Sequence, residues 1–341
     1  MFNWLRREGA SPTLGLDLGS WRSRRLSSRG LETSCNSAVL WDLSSNGPVE
    51  IGDRAQALQG RHPSHWTFVR PFRHGLLADF DAAEELVRHL LEGQKGKLSV
   101  LASAPAMAGE IELQVFAEML REAGCTSICL LPSAACVAVA AGHPPPQYPA
   151  VAVLELGHQL MQATVFSRGT AVHQLQQRGG SEELALRLRE HLLRRHWLEV
   201  GHSEVERLLG FVSAQSGRED WLEVRGKDLQ SGLPRRLMVA AWELDRWVEL
   251  SLQSVIRMIT QLLEETPPDL LQVILSQGIF VGGGLSGLQG LQTALSAQLS
   301  LPIHILPEPD LAVARGLAAL LKDEDTLEAL VQSQVLAGRL G

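Results

Sequence analysis

An α/β fold of two related lobes, each a mixed sheet with flanking helices, is predicted by three features of this 341-residue chain. An apolar strand that carries an acidic residue and closes on a glycine occurs twice, around Asp17 and Gly19 and again around Glu155 and Gly157. Segments with apolar residues at helical spacing follow each copy. The breaker His143-Pro-Pro-Pro-Gln-Tyr-Pro149 stands between them, which sets lobes at 10–149 and 150–321. With 45% hydrophobic and 20% charged residues, the chain has enough apolar material for two cores.

The first lobe opens with the strand Thr13–Leu18, ending in Gly19-Ser20. A strand over Ala38–Asp42, a turn at 44–48, the segment Val49–Gly52 and a short helix over Asp53–Leu58 follow. Phe80, Ala83, Leu86, Leu90 and Leu91 give Asp79–Leu91 helical spacing. Lys97–Ala104 reads as a strand, Ile111–Ala123 as an amphipathic helix and Ser127–Leu131 as a strand. Ala134–Gly142 reads as a small-residue helix packed closely on a neighbour.

In the second lobe, Val151–Leu156 is a strand and Met161–Phe166 with Ala171–Leu175 a hairpin. Gly179-Gly180-Ser181 leads into a helix over Glu182–His196, with Ser181 as its N-cap. Helices over Leu237–Glu265 and Leu288–Ala297 flank Gly278–Gly284. Helices near the C-terminus are expected to return to the first lobe, and the tail 322–341, charged and then apolar, suits a terminal helix.

The net charge of −7 leaves no basic surplus for phosphates, so nucleic acid is not an expected partner. No apolar run approaches the roughly 18–20 residues of a membrane span; Ala134–Ala141 is among the longest. Met1–Gly9 lacks the apolar stretch and cleavage site of a secretory signal. Four cysteines are too few for a disulfide scaffold, and a cytoplasmic protein with buried thiols is expected.

Four ordered segments carry a family resemblance. They are Gly52–Pro63 with Val69–Asp81, Glu223–Pro234, Glu265–Leu270 leading to Gly278-Ile-Phe-Val-Gly-Gly-Gly284, and Leu301–Ile305 with Ala312–Gly316. With the opening strand they span about residues 13–321, and together they resemble the MreB-type bacterial actins. The resemblance implies the actin-like (ribonuclease H-like) fold, whose two lobes close on ATP and Mg²⁺. On it, Asp17, Gly19, Ser20, Glu155, Gly157, Gly179, Gly180, Gly282, Gly283 and Gly284 are the nucleotide-binding candidates, and Asp17 and Glu155 the magnesium ligands. Glycines let backbone N–H groups approach phosphate oxygens, and carboxylates at strand ends organise the metal and its waters.

Departures from the family pattern cluster on the chemistry. Trp21 and Arg22 stand where the first phosphate turn has small polar residues. The second turn reads Glu155-Leu-Gly-His-Gln-Leu-Met-Gln162, without two glycines and two threonines of the family. Leu131 takes the place of the water-positioning glutamate, and Ser181 that of an aspartate. The family's base-clamping Glu-x-x-Lys falls near Ser203–Arg207. Loss of a water-orienting carboxylate costs about 10²–10⁴ in rate. No catalytic residue is therefore assigned, and ATP binding and hydrolysis are expected to be weakened or lost.

Each feature also has a plain structural reading. Gly282–Gly284 suits a tight turn, Asp17 and Glu155 suit strand-end caps, and Trp21 suits pocket filling. Arg22 and the pairs Arg24-Arg25, Arg194-Arg195 and Arg235-Arg236 suit a solvated surface, and His158 has no acid partner at a telling spacing.

Residues 1–9 form a candidate membrane segment, in which Phe2, Trp4 and Leu5 share a side and Arg6 and Arg7 meet anionic headgroups. The short polar loop Glu92–Lys97 offers no second apolar contact. The leading expectation is a cytoskeletal scaffold on the cytoplasmic face of the inner membrane, acting in cell shape or wall synthesis. Its expected partners are itself or another MreB-type protein, anionic lipids, and a membrane cell-shape adaptor such as RodZ. The alternatives are an ATP-dependent filament former with a rebuilt phosphate pocket, and a non-polymerising membrane adaptor.

Overall fold

The structure, a computed structural model, describes residues 11–214, 221–288 and 291–337. The membrane reading of Phe2, Trp4, Leu5, Arg6 and Arg7 lies outside the described residues.

The chain opens with an antiparallel meander of β1 (Leu14–Leu18), β2 (Arg22–Ser27) and β3 (Gly30–Asn36). A small sheet of β4 (Val39–Asp42), β5 (Gly47–Ile51) and β6 (Trp66–Val69) follows, with α1 (Asp53–Ala57) between its last two strands. The hairpin β7 (Phe72–Arg73) and β8 (Leu76–Leu77) leads to α2 (Phe80–Leu90), whose first turn is capped by the Asp79 carboxylate accepting from the Ala82 N–H. Next come β9 (Leu98–Ala104), α3 (Glu110–Glu122), β10 (Cys125–Pro132) and α4 (Ser133–Ala140). The completed first sheet has the order β10-β9-β1-β2-β3.

A second meander, β11 (Val151–Leu156), β12 (Leu160–Ser167) and β13 (Thr170–Arg178), repeats the first. An excursion follows through α5 (Ser181–His196), β14 (Leu198–Glu199), α6 (His202–Ala214), β15 (Trp221–Asp228) and β16 (Pro234–Ala240). The chain returns through α7 (Ala241–Glu264), α8 (Pro268–Gln277), β17 (Ile279–Gly282), α9 (Leu291–Leu299) and β18 (Ile303–Ile305). The second sheet, β13-β12-β11-β17-β18, has the same order and strand sense as the first: an antiparallel meander extended by two parallel strands. The chain ends in α10 (Ala312–Leu320) and α11 (Glu324–Ala337).

α10 packs on α4 and against β1, joining the two lobes. Small residues on α4 permit this close crossing, and a side chain at Gly316 would collide with the Cys136 carbonyl. Each lobe has its main apolar cluster, the first lobe a further small one of Ala38, Leu40 and Ala55, and another, including Leu131, Val137, Val153, Phe166 and Leu317, lies between the lobes.

Several expectations need correction. Leu237–Ala240 belong to β16, and the long helix begins at Ala241 and runs unbroken to Glu264. Val239 pairs across the hairpin with Leu222 and turns inward while Met238 turns out, the period of a half-buried strand. Ser181 is the first helical residue of α5 rather than its cap; Gly180 holds that position with no side-chain cap bond. Arg24 is buried, not solvated. The cysteines, as expected, are all buried thiols. Among the described residues no helix is long and apolar enough to cross a membrane.

Candidate functional site

The two meanders place their first hairpin turns face to face, and a cleft of about 380 Å³ lies between them. Asp17, Gly19 and Ser20 from the first turn border it, as do Glu155 and Gly157 from the second and Gly283 and Gly284 beyond β17. Gly179, Gly180 and Gly282 do not line it. Gly180 has φ 120°, and a side chain there would run into the Gly157 carbonyl. Gly283, at φ 92°, lies against the backbone of Leu156. Both glycines are thus required by the packing of the turns.

Three glycine N–H groups at the turns donate within the protein. Gly19 N–H donates to the Arg22 carbonyl at 3.1 Å, Gly157 N–H to Leu160 at 2.9 Å and Gly283 N–H to Pro309 at 2.6 Å. At the start of α5, the Ser181 and Glu182 N–H groups donate to the carbonyls of Gly157 and His158. That helix terminus therefore directs these donors at the second turn.

Asp17 lies opposite Arg24 in the β1–β2 register. Nη1 of Arg24 donates to Oδ2 of Asp17 at 3.1 Å, and Nη2 donates to Asp310 at 3.2 Å. One guanidinium thus ties the first strand to the chain segment after β18. Ser103 also donates to Asp17, at 3.4 Å. Burial raises the Asp17 pKa above the usual carboxylate value, against the pull of Arg24 and Ser103.

Glu155 accepts hydrogen bonds from Ser133 Oγ at 2.6 Å and Gln162 Nε2 at 3.2 Å. Burial pushes its pKa up to about 7; the Ser133 bond lowers it, and the charge of Asp17 adds to the rise. Across the mouth, the rings of Trp21 and His158 have centroids 4.7 Å apart. His202 packs on the same indole at 5.3 Å, and the Arg70 guanidinium lies over it at 4.6 Å. Burial, then Arg70 and His202, lower the His158 pKa to about 3. Its Nδ1 lies 2.8 Å from Ser181 Oγ.

Side chains of the second turn reach the opposite lobe. The His74 N–H donates to Gln159 Oε1 at 3.1 Å, and the Ala106 N–H donates to Gln162 Oε1 at 2.8 Å. Both glutamines are buried.

Leu131 is 1% exposed in the apolar cluster between the lobes and is not part of the cleft lining. Glu204, in the stretch Ser203–Arg207 to which the resemblance assigns the base clamp, is held by Arg207 through two hydrogen bonds. Sequence reasoning missed Arg24, Arg70 and Asp310. The available signal was the cross-strand pairing of Asp17 with Arg24, which a hairpin at Gly19–Trp21 would have exposed.

The chain matches the MreB/Mbl protein family over residues 11–329. It is 25% identical over 322 residues to the cell shape-determining protein Mbl of Bacillus subtilis (strain 168), covering 92% of this chain and 97% of that one. It is also 25% identical over 281 residues to the cell shape-determining protein MreB of Escherichia coli (strain K12), covering 80% and 81%. Among solved structures it is similar to MreB5 of Spiroplasma citri bound to AMPPNP, with a TM-score of 0.86, 21% identity and coverage of 92% and 97%. The MamK double helical filament gives a TM-score of 0.76 at 18% identity, covering 91% and 98%. The two-lobed architecture is therefore the actin-like one.

Proposed function

The chain belongs to the MreB/Mbl family of bacterial actin homologues, and on that premise we propose that it is a cell-shape scaffold subunit whose cleft is held closed by its own side chains in place of Mg·ATP. The observation that carries this reading is the Arg24 fork between Asp17 and Asp310. A magnesium ion held in the family's manner would need Asp17 free, yet a buried cation already neutralises it. Trp21 against His158 narrows the gap between the two turns, where a triphosphate would lie. On this reading the residues do not fit Mg·ATP.

The side chains that replace the family's small turn residues tie the lobes together instead. Gln159 and Gln162 accept from backbone N–H groups of the first lobe, and Trp21 packs on His158. Such contacts supply the interlobe cohesion that a bound nucleotide supplies by touching both turns. The actin-like fold of the MamK filament makes self-assembly, or co-assembly with another MreB-type protein, the mode of action this reading favours. The segment Phe2–Arg7 would add weak attachment to anionic inner-membrane lipids, multiplied along a filament, with a RodZ-like adaptor as a further partner.

The test is ATP turnover by the purified protein together with sedimentation and electron microscopy, alone and with an MreB, with and without ATP. Assembly indifferent to nucleotide and no turnover support the proposal. Turnover abolished by Asp17→Ala overturns it and favours the rebuilt ATPase, a reading for which the residual cavity bordered by Asp17, Glu155 and Gly284 speaks.

A further inference from the structure

α5 begins at the cleft with Ser181 and, at 1.5 Å per residue, ends about 24 Å away at His196. At that far end, His191 and His196 converge on Glu243 from the first turn of α7. The Nε2 atoms of the two imidazoles lie 3.3 and 3.1 Å from the same oxygen, Glu243 Oε2. The three donor atoms lie within 4.8 Å of one another, the one such His, Cys, Asp or Glu group among the described residues.

We propose that His191, His196 and Glu243 form a three-ligand site for a divalent transition metal of the zinc class. The argument is geometric. A tetrahedral zinc with bonds of roughly 2.0–2.1 Å has ligand–ligand edges of about 3.3 Å, which the two His–Glu separations match. Two imidazoles and a carboxylate suit zinc, with the fourth position left to water. The surroundings favour a cation: the site sits at the C-terminal end of a 16-residue helix, where the backbone carbonyls concentrate negative potential. All three ligand side chains are largely buried, and Trp247 packs on the His191 ring at 5.6 Å. The competing cation is Arg195, whose Nε lies 3.2 Å from the same Glu243 oxygen. Its side chain is 60% exposed, so it swings into water when the metal arrives. The metal would pin the end of α5 to the start of α7, fixing the β14–β16 excursion on the second lobe.

The test uses the full-length chain stripped of metal, titrated calorimetrically with Zn²⁺ and spectroscopically with Co²⁺. One equivalent of zinc with micromolar or tighter affinity, tetrahedral cobalt absorption and a raised melting temperature are expected. His191→Asn, His196→Asn and Glu243→Gln should each weaken binding by more than the roughly 10–100-fold that an outer-shell partner is worth, with unchanged circular dichroism confirming the fold. Arg195→Gln should bind at least as tightly as the wild type, since a competing cation is gone. Absence of stoichiometric binding overturns the proposal, as does binding that survives loss of both imidazoles. Cobalt bands from thiolate ligation would assign the metal to the cysteines and overturn it equally.

Discussion

Trp21 and His158 meet ring to ring across the cleft, centroids 4.7 Å apart and planes inclined by 42°. Each occupies a turn that, in the family pattern, carries a small residue, so both departures serve one contact. Trp21→Ala should remove the bridge and leave Arg70 and His202 without their common partner. A destabilisation of about 2 kcal/mol is expected for this half-buried indole, read as a lower urea midpoint. Amide exchange should quicken at both turns together; quickening confined to the first would contradict an interlobe role.

Arg24 and Asp17 form a buried pair, and removing Arg24 leaves the Asp17 carboxylate without its cation. Arg24→Met should cost about 3–5 kcal/mol, and adding Asp17→Asn should restore most of it. Denaturant melts of both singles and the double form the cycle. Strict additivity would show that the pair is not coupled.

Glu155 holds its proton up to about pH 7, against an ordinary value of 4.5. The folded state therefore binds more protons than the unfolded chain between those values. This contribution to stability is complete below pH 4.5 and is lost as pH rises through 7. His158, lowered to about 3 from 6.5, acts in the opposite sense: its contribution is present above pH 6.5 and lost as pH falls toward 3. The comparison of Glu155→Gln with the wild type isolates the first effect. The variant should gain about 2 kcal/mol relative to wild type between pH 5 and 8, measured by urea midpoints at both values.

Leu131 sits in the apolar cluster between the lobes, so restoring the family's carboxylate there should not restore chemistry. Leu131→Glu buries an ionisable group without a designed partner and should destabilise by about 3 kcal/mol or more, with no gain in ATP turnover. Turnover above the wild-type level in this variant would show that the rest of the site is intact.

The duplicated architecture was legible because its signal is local: an apolar run, an acid and a glycine at Asp17–Gly19 and again at Glu155–Gly157. The identical strand order of the two sheets is the physical form of that repeat. β2 was not legible, because Arg22-Ser-Arg-Arg25 reads as polar surface when the chain is read one residue at a time. Arg24 is buried only because Asp17 and Asp310, the latter 286 positions away, meet its two terminal nitrogens. Leu237–Ala240 fitted the period of the helix that follows, and only its pairing with β15 makes it a strand. Trp21, the altered second turn and Leu131 were visible as departures. What they do instead depended on tertiary contacts, above all Gln159 and Gln162 reaching His74 and Ala106.

The central claim, that internal side chains hold the cleft in place of Mg·ATP, is tested most directly by calorimetric titration of the wild-type protein with Mg·ATP. The account predicts no saturable binding at millimolar nucleotide. Saturation in the micromolar range, dependent on magnesium and lost in Asp17→Asn, would contradict it.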